Sequence, residues 1–185
     1  MDAPIIYKSN FFEGGKIDVL INEIDWANVQ VARGECFMSD IPREYQYIKN
    51  GPVYKSEQFH PLVKQVMEKI NTEYGYSLDV CFLNFYLDKS KALGWHADDS
   101  HPIDQTQPIA VVSFGQEREI WCKPMDFIGT VPDEWKQLLG DGSLFVMLPG
   151  MQSTHKHRIP KGDRVMQPRI SLTFRCWKNQ IENSQ

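Results

Sequence analysis

From Tyr76 onward the apolar residues of this chain recur at alternate positions, in short runs separated by turn residues, and that period restricts the back half to strands. The clearest run is Arg169-Ile170-Ser171-Leu172-Thr173-Phe174-Arg175. Ile170, Leu172 and Phe174 leave one face of such a strand, and Arg169, Ser171, Thr173 and Arg175 leave the other. Further strands are predicted over Leu78 to Leu87, Ala110 to Phe114, Glu119 to Lys123 and Ser143 to Leu148, a spacing that suits a sandwich or jelly roll. The front half reads differently. An amphipathic helix is expected from Phe12 to Trp26 after the Gly14-Gly15 break, and an extended segment from Val29 to Met38 with a turn at Arg33-Gly34. A second helix is expected from Pro61 to Glu73, ended by Gly75; between the later strands, Pro132 to Leu139 is expected as a short helix capped by Gly140 or as a structured loop. The fold class is therefore mainly β with flanking helices.

At 185 residues, with no repeat and no linker-like stretch, the chain is expected to form a single domain over 1–185. Its hydrophobic fraction of 42% is that of a folding sequence rather than a disordered one. No apolar run reaches membrane-spanning length and the N-terminus lacks a secretory pattern, so the expectation is an intracellular, unanchored and monomeric protein. Cys36, Cys81, Cys122 and Cys176 are too scattered for a zinc ribbon or a disulfide framework and are expected as reduced thiols. A net charge of -4 excludes a surface coated in positive charge. Local patches remain open, and Lys156, Arg158, Lys161 and Arg164 gather in one short segment.

That segment lies beside the residues that carry chemistry. In Gly94-Trp95-His96-Ala97-Asp98-Asp99 an imidazole and a carboxylate stand two residues apart and leave the same face of an extended chain. Two histidines and one carboxylate form a facial triad that keeps adjacent positions on Fe(II) open for a bidentate cosubstrate and dioxygen. The third ligand must come from a neighbouring strand, and both His155 and His157 are placed to supply it. Arg169 and Arg175 share the polar face of their strand, with Cα atoms about 20 Å apart at roughly 3.3 Å per residue. On a pocket-lining face they require anionic partners, and an elongated dicarboxylate suits them. Asn84 and Tyr86, again two apart, add two groups able to hydrogen-bond a carboxylate.

Taken in order, Asn84-Phe85-Tyr86, Gly94 to Asp98, Ser113-Phe114-Gly115, Gly142-Ser143-Leu144, His157-Arg158-Ile159-Pro160 and Pro168 to Arg175 resemble the AlkB family of nucleic-acid dealkylating dioxygenases. The similarity covers residues 78 to 176 and extends faintly to Val29-Gln30-Val31 and Ile41-Pro42-Arg43, which resemble a nucleotide-recognition region over about 27–58. The resemblance implies a double-stranded β-helix (jelly roll). It implies Fe(II) held by His96, Asp98 and His157, which favours His157 over His155, and 2-oxoglutarate held by Asn84, Tyr86, Arg169, Thr173 and Arg175. It further implies dioxygen as co-reactant and alkylated DNA or RNA as partner, with bases such as 1-methyladenine and 3-methylcytosine dealkylated in nucleic-acid repair. Tyr54, at about the spacing from Pro42-Arg43 that the resemblance implies, is the candidate ring for stacking on the base, and Asp99 is a candidate substrate contact. The chain departs from the family pattern at Ser171, where an asparagine is common. It departs again at Ser100, where an acid tied to base recognition is common, and at Asp88-Lys89-Ser90-Lys91, which lacks a usual glycine. Other readings are a protein or small-molecule hydroxylase with the same cosubstrate, a catalytically silent nucleic-acid-binding module, and a cupin-type enzyme of another metal.

Overall fold

A strand apolar on one side and polar on the other needs two different neighbours. A computed structural model, which describes residues 4–28, 33–46, 50–125, 135–162 and 166–178, shows what those neighbours are. The chain runs β1 (Ile5–Lys8), α1 (Ile17–Glu23), β2 (Gly34–Ser39), β3 (Glu44–Tyr45), β4 (Tyr54–Lys55), α2 (Pro61–Tyr74), β5 (Val80–Tyr86), β6 (Leu93–His96) and β7 (Ile109–Gly115). It continues through β8 (Arg118–Pro124), β9 (Trp135–Leu139), β10 (Leu144–Met147), α3 (Met151–Thr154), β11 (His155–Ile159) and β12 (Arg169–Arg175). A six-stranded sheet in the order β1-β10-β7-β12-β5-β2 lies over a four-stranded sheet in the order β6-β11-β8-β9, with β3 and β4 as a separate pair. All these strand pairs are antiparallel, the arrangement of a jelly roll.

The apolar face of β12 packs outward. Ile170, Leu172 and Phe174 join Leu83 and Phe85 of β5, Val112 and Phe114 of β7, and Leu20, Val63, Val66 and Ile70 of the two longer helices in one buried cluster. The helix α2 begins at Pro61, which needs no backbone donor, with the His60 imidazole accepting from Leu62 N. It ends where Gly75 takes φ 69°, a left-handed conformation natural to glycine. The other face of β12 looks inward. Register sets Arg169 opposite Tyr86, Ser171 opposite Asn84 and Thr173 opposite Phe82, so the expected acid-binding residues share one face by direct pairing. Between the sheets a second cluster combines Tyr86, Val111 and Phe145 with Ile120, Cys122, Leu139 and Ile159.

Two expected elements require correction. The first helix covers only Ile17–Glu23, not Phe12 to Trp26. Ile24 turns extended, the Trp26 indole donates to Leu20 O, and its ring packs on Phe85, so burying Trp26 on the sheet outweighs another helical turn. The short helix expected over Pro132 to Leu139 is instead a strand over Trp135–Leu139, residues 132–134 lying outside those described. Pairing with β8, from Arg118 opposite Leu139 to Cys122 opposite Trp135, satisfies its backbone and buries Leu139. The expected Val29–Gln30–Val31 similarity also lies outside the described residues. All four cysteines are free, and no described helix is long and apolar enough to cross a membrane.

Gly115 ends β7 beside Arg169 with φ 85°, and a Cβ there would meet Ile17 and stand 2.5 Å from Pro168 O. Gly115→Ala is expected to cost about 1–3 kcal/mol through the backbone conformation alone. A urea titration should show a lower midpoint at an unchanged slope.

Candidate metal and dicarboxylate site

Pairing of β6 with β11 sets His157 directly opposite His96, and both rings point between the sheets with centroids 4.2 Å apart. Two residues past His96, Asp98 completes the group. Its Oδ1 is 3.6 Å from His96 Nε2 and its Oδ2 is 4.0 Å from His157 Nε2. One donor atom from each residue lies within 4.8 Å of the other two, close enough for a single ion to bridge them. His96 Nδ1 donates to Gly94 O at 2.8 Å, a tautomer that leaves the Nε2 lone pair toward the centre. The Asp98 backbone is anchored from the far side: its N–H donates to Gln152 Oε1 at 2.8 Å, and its carbonyl accepts from Gln105. Gln152 was not legible in the sequence, because no periodic pattern connects α3 to the metal loop.

His155 shares a face of β11 with His157 but stands outside the cluster. It is paired opposite Pro124, and its Nδ1 meets the Thr154 hydroxyl at 2.9 Å. Register sets the two histidines apart, since of the two His157 faces β6 at His96.

Electrostatics suit the group to a cation. Burial alone would raise the Asp98 carboxyl, but the Arg175 guanidinium, His96 and His157 outweigh it and hold it well below the usual carboxylate range. Burial, helped by His96, pushes His157 down to about 3, so at neutral pH it keeps its lone pair. His157 binds a proton near pH 6.5 when unfolded and only near pH 3 when folded, so its contribution is complete above 6.5 and lost as pH falls toward 3. Across that window the folding equilibrium of the metal-free protein should lose up to tenfold per pH unit from this residue. Denaturation of wild type against His157→Gln checks it: the wild-type curve should fall more steeply between pH 6.5 and 4.5.

Behind the triad an inner cavity is lined by Asn84, Tyr86, Arg169, Ser171, Thr173 and Arg175 together with His96, Asp98 and His157. Arg169 is fully buried; its Nη2 donates to Ser113 Oγ at 2.8 Å, whereas Nε and Nη1 have no partner among the described residues. Arg175 donates from Nη2 to Asp98 Oδ2 at 2.7 Å, and its Nε has no partner among the described residues. Arg169 keeps its charge at neutral pH although burial lowers it to about 10. Buried guanidinium donors left unmatched are costly, and a dicarboxylate would satisfy them. The two-histidine, one-carboxylate donor set fits Fe(II), and the arginine cavity beside it fits 2-oxoglutarate.

A cleft of about 300 Å³ opens from the triad toward solvent, lined by Arg33, Tyr45, Phe82, Asn84, Trp95 and Ser100 as well as His96 and Asp98. Arg33 donates to Asn84 Oδ1 at 2.6 Å and pairs with Glu35 at 2.7 Å. Tyr45 and Ser100 share a hydrogen bond of 2.8 Å. Arg33 and Tyr45 were missed in the sequence, since they come from segments with no period to assign them a face. Tyr54 lies one layer behind: its hydroxyl donates to Glu35 at 2.5 Å, and its ring stands edge-on to Phe82 at 5.0 Å. Asp99 is exposed, whereas Asp98 beside it is buried.

Comparison with known proteins agrees with this geometry. Residues 18–175 match the model of the 2OG-Fe(II) oxygenase superfamily. The chain belongs to that superfamily, and within it the chain is a member of the AlkB family. It is 29% identical to the alpha-ketoglutarate-dependent dioxygenase alkB homolog 3 of Bos taurus, over 82% of this chain and 54% of the relative. It is also 29% identical to the DNA oxidative demethylase ALKBH2 of Mus musculus, over 70% of this chain and 56% of the relative. It thus spans about half the length of the curated relatives it matches. The solved structure of OsALKBH1 shares its fold with a TM-score of 0.62 at 15% identity, covering 95% of this chain and 99% of that one.

Proposed function

We propose that the protein removes alkyl groups oxidatively from ring nitrogens of nucleic-acid bases, such as 1-methyladenine and 3-methylcytosine in DNA or RNA, in the service of repair. The observation that carries this reading is the pair of buried arginines with unmatched donors beside a two-histidine, one-carboxylate cluster. Bound there, Fe(II) would activate dioxygen, and 2-oxoglutarate would supply two electrons and take one oxygen atom as it leaves as succinate and carbon dioxide, so that the other oxygen atom can hydroxylate a C–H bond. A carbon hydroxylated next to a ring nitrogen forms a hemiaminal, which releases an aldehyde and restores the base.

The residues of the chain position these partners. His96, Asp98 and His157 hold the metal, with Arg175 fixing Asp98 and sharing in acid binding. Arg169, with Asn84, Tyr86 and Thr173 on the same inner face, orients the acid. The apolar walls between the sheets keep water from the reacting centre. The cleft admits a flat base only when it is out of its stack or in a single strand. Phe82 and Trp95 line its apolar sides, and Tyr54 supports Glu35 and Arg33 from behind. The Ser100 hydroxyl, held by Tyr45, both donates and accepts, and so tolerates adenine and cytosine lesions alike. The nucleic-acid substrate is supported by the relative described as a DNA oxidative demethylase.

The test is turnover with Fe(II) and 2-oxoglutarate on oligonucleotides bearing 1-methyladenine or 3-methylcytosine. Loss of the methyl group with one succinate per base restored is expected. Succinate formed while every methylated oligonucleotide stays intact would favour a hydroxylase of proteins or small molecules.

A further inference from the structure

The outer face of the four-stranded sheet carries a feature that catalysis does not use. On β6 and β11 the residues that alternate with the metal-binding histidines point away from the metal, and these are Trp95, Lys156 and Arg158. Their cross-strand neighbours on β8 are Trp121 opposite Arg158 and Lys123 opposite Lys156, and on β9 Lys136 stands opposite Trp121. One row therefore crosses the whole sheet: Trp95, Arg158, Trp121, Lys136. At about 4.8 Å between strands it is about 14 Å long. Contacts run its full length. The Arg158 guanidinium lies 4.6 Å from the Trp95 ring centre and 4.2 Å from that of Trp121. Lys136 Nζ sits 3.9 Å over Trp121, and Lys123 Nζ sits 4.7 Å over Trp95.

We infer that this face is a docking surface for the phosphate backbone of the single-stranded nucleic acid whose modified base enters the cleft. The inference rests on the nucleic-acid reading above. Three observations carry it. First, among the described residues of these strands the acid that alternates onto the same face as Lys123, Lys136, Lys156 and Arg158 is Glu119, whose carboxylate accepts from the Trp121 indole at 2.7 Å, although the chain as a whole has a net charge of -4. Positive charge is concentrated where a polyanion would lie. Second, the tryptophan rings hold flexible cationic side chains in a row before any ligand arrives, which lowers the ordering cost of binding. Third, Trp95 belongs both to this row and to the lining of the cleft, so the surface is continuous with the site. A strand whose alkylated base reaches past Trp95 has its flanking phosphates directed over Arg158 toward Lys136.

The test is fluorescence anisotropy with a labelled, unmodified single-stranded oligonucleotide over a salt series, using wild type and Lys136→Gln/Lys156→Gln. Neither residue touches the cleft or the metal group. The double variant should bind about tenfold more weakly at low salt, and its dependence of log affinity on log salt should be shallower by about 1.4, near 0.7 for each lost phosphate contact. Trp121→Leu, which leaves every charge in place, should also weaken binding by releasing Arg158 and Lys136. Wild-type affinity and slope in the double variant would overturn the inference. So would displacement of the oligonucleotide by polyglutamate at equal charge, because the face would then bind any polyanion. Turnover of a free methylated nucleoside separates the two readings. Unchanged nucleoside turnover in the double variant with weakened oligonucleotide binding is expected, whereas oligonucleotide binding through this face with no dealkylation of any substrate would sink the proposed function and leave the docking surface standing.

Discussion

Arg169→Met should raise the 2-oxoglutarate concentration needed for half-saturation by about two orders of magnitude while leaving Fe(II) binding nearly unchanged. Arg169 is fully buried, it donates to Ser113, and two of its donor nitrogens have no partner among the described residues. Truncating one member of a buried charge-assisted pair costs about 2–5 kcal/mol, a factor of about 30 or more in affinity. Methionine retains the volume and apolar character that the neighbouring Tyr86 ring, 5.2 Å from the guanidinium, packs against, so the cavity should not collapse. Arg175→Met should behave differently. Removing it also takes away the 2.7 Å contact to Asp98, so both cosubstrate and metal affinity should fall. Calorimetric titration of Fe(II), then of 2-oxoglutarate under anaerobic conditions, measures the two effects separately. Equal cosubstrate affinity in wild type and Arg169→Met would remove this strand from the acid site.

His157→Ala should abolish 2-oxoglutarate turnover, by at least about 100-fold, while His155→Ala retains most of it. The two histidines differ by one pair of positions on one strand face, and the contrast therefore isolates register from composition. His157 stands opposite His96 and within reach of Asp98; His155 stands opposite Pro124 and contacts Thr154. A facial triad has no spare protein ligand, so losing one donor removes the ion or its geometry. Succinate formation under saturating Fe(II) reads the result directly. The reverse ranking would reassign the third ligand and with it the pairing of β6 with β11.

The expected site was partly legible because strand periodicity is short and rigid. A spacing of two places His96 with Asp98, Asn84 with Tyr86, and Arg169 with Thr173 and Arg175 on common faces before any tertiary contact is known. The same rule failed for Trp135–Leu139, where a few apolar residues with a following glycine read as well as a helix as a strand, and the partner strand decided. It was silent about Arg33, Tyr45 and Gln152, which reach the site from β2's leading edge, β3 and α3. The cluster Lys156, Arg158, Lys161 and Arg164 was visible as charge, but not as a surface. Alternation projects only Lys156 and Arg158 outward on β11, the tryptophans that order them come from other strands, and Arg164 lies outside the described residues.

The order of residues alone determined which side chains share a face, because a pleated backbone leaves no other choice once a strand forms. It therefore determined the chemistry on offer: imidazole with carboxylate on one edge, two arginines on one polar face. Tertiary structure decided which faces meet. Register across β6 and β11 set His157 opposite His96, packing of the sheets brought Arg175 onto Asp98, and burial left two donor nitrogens of Arg169 without a partner among the described residues. Those outcomes depend on contacts between residues distant along the chain, made favourable only when the apolar faces of both sheets are buried together, and no local pattern carries that energy.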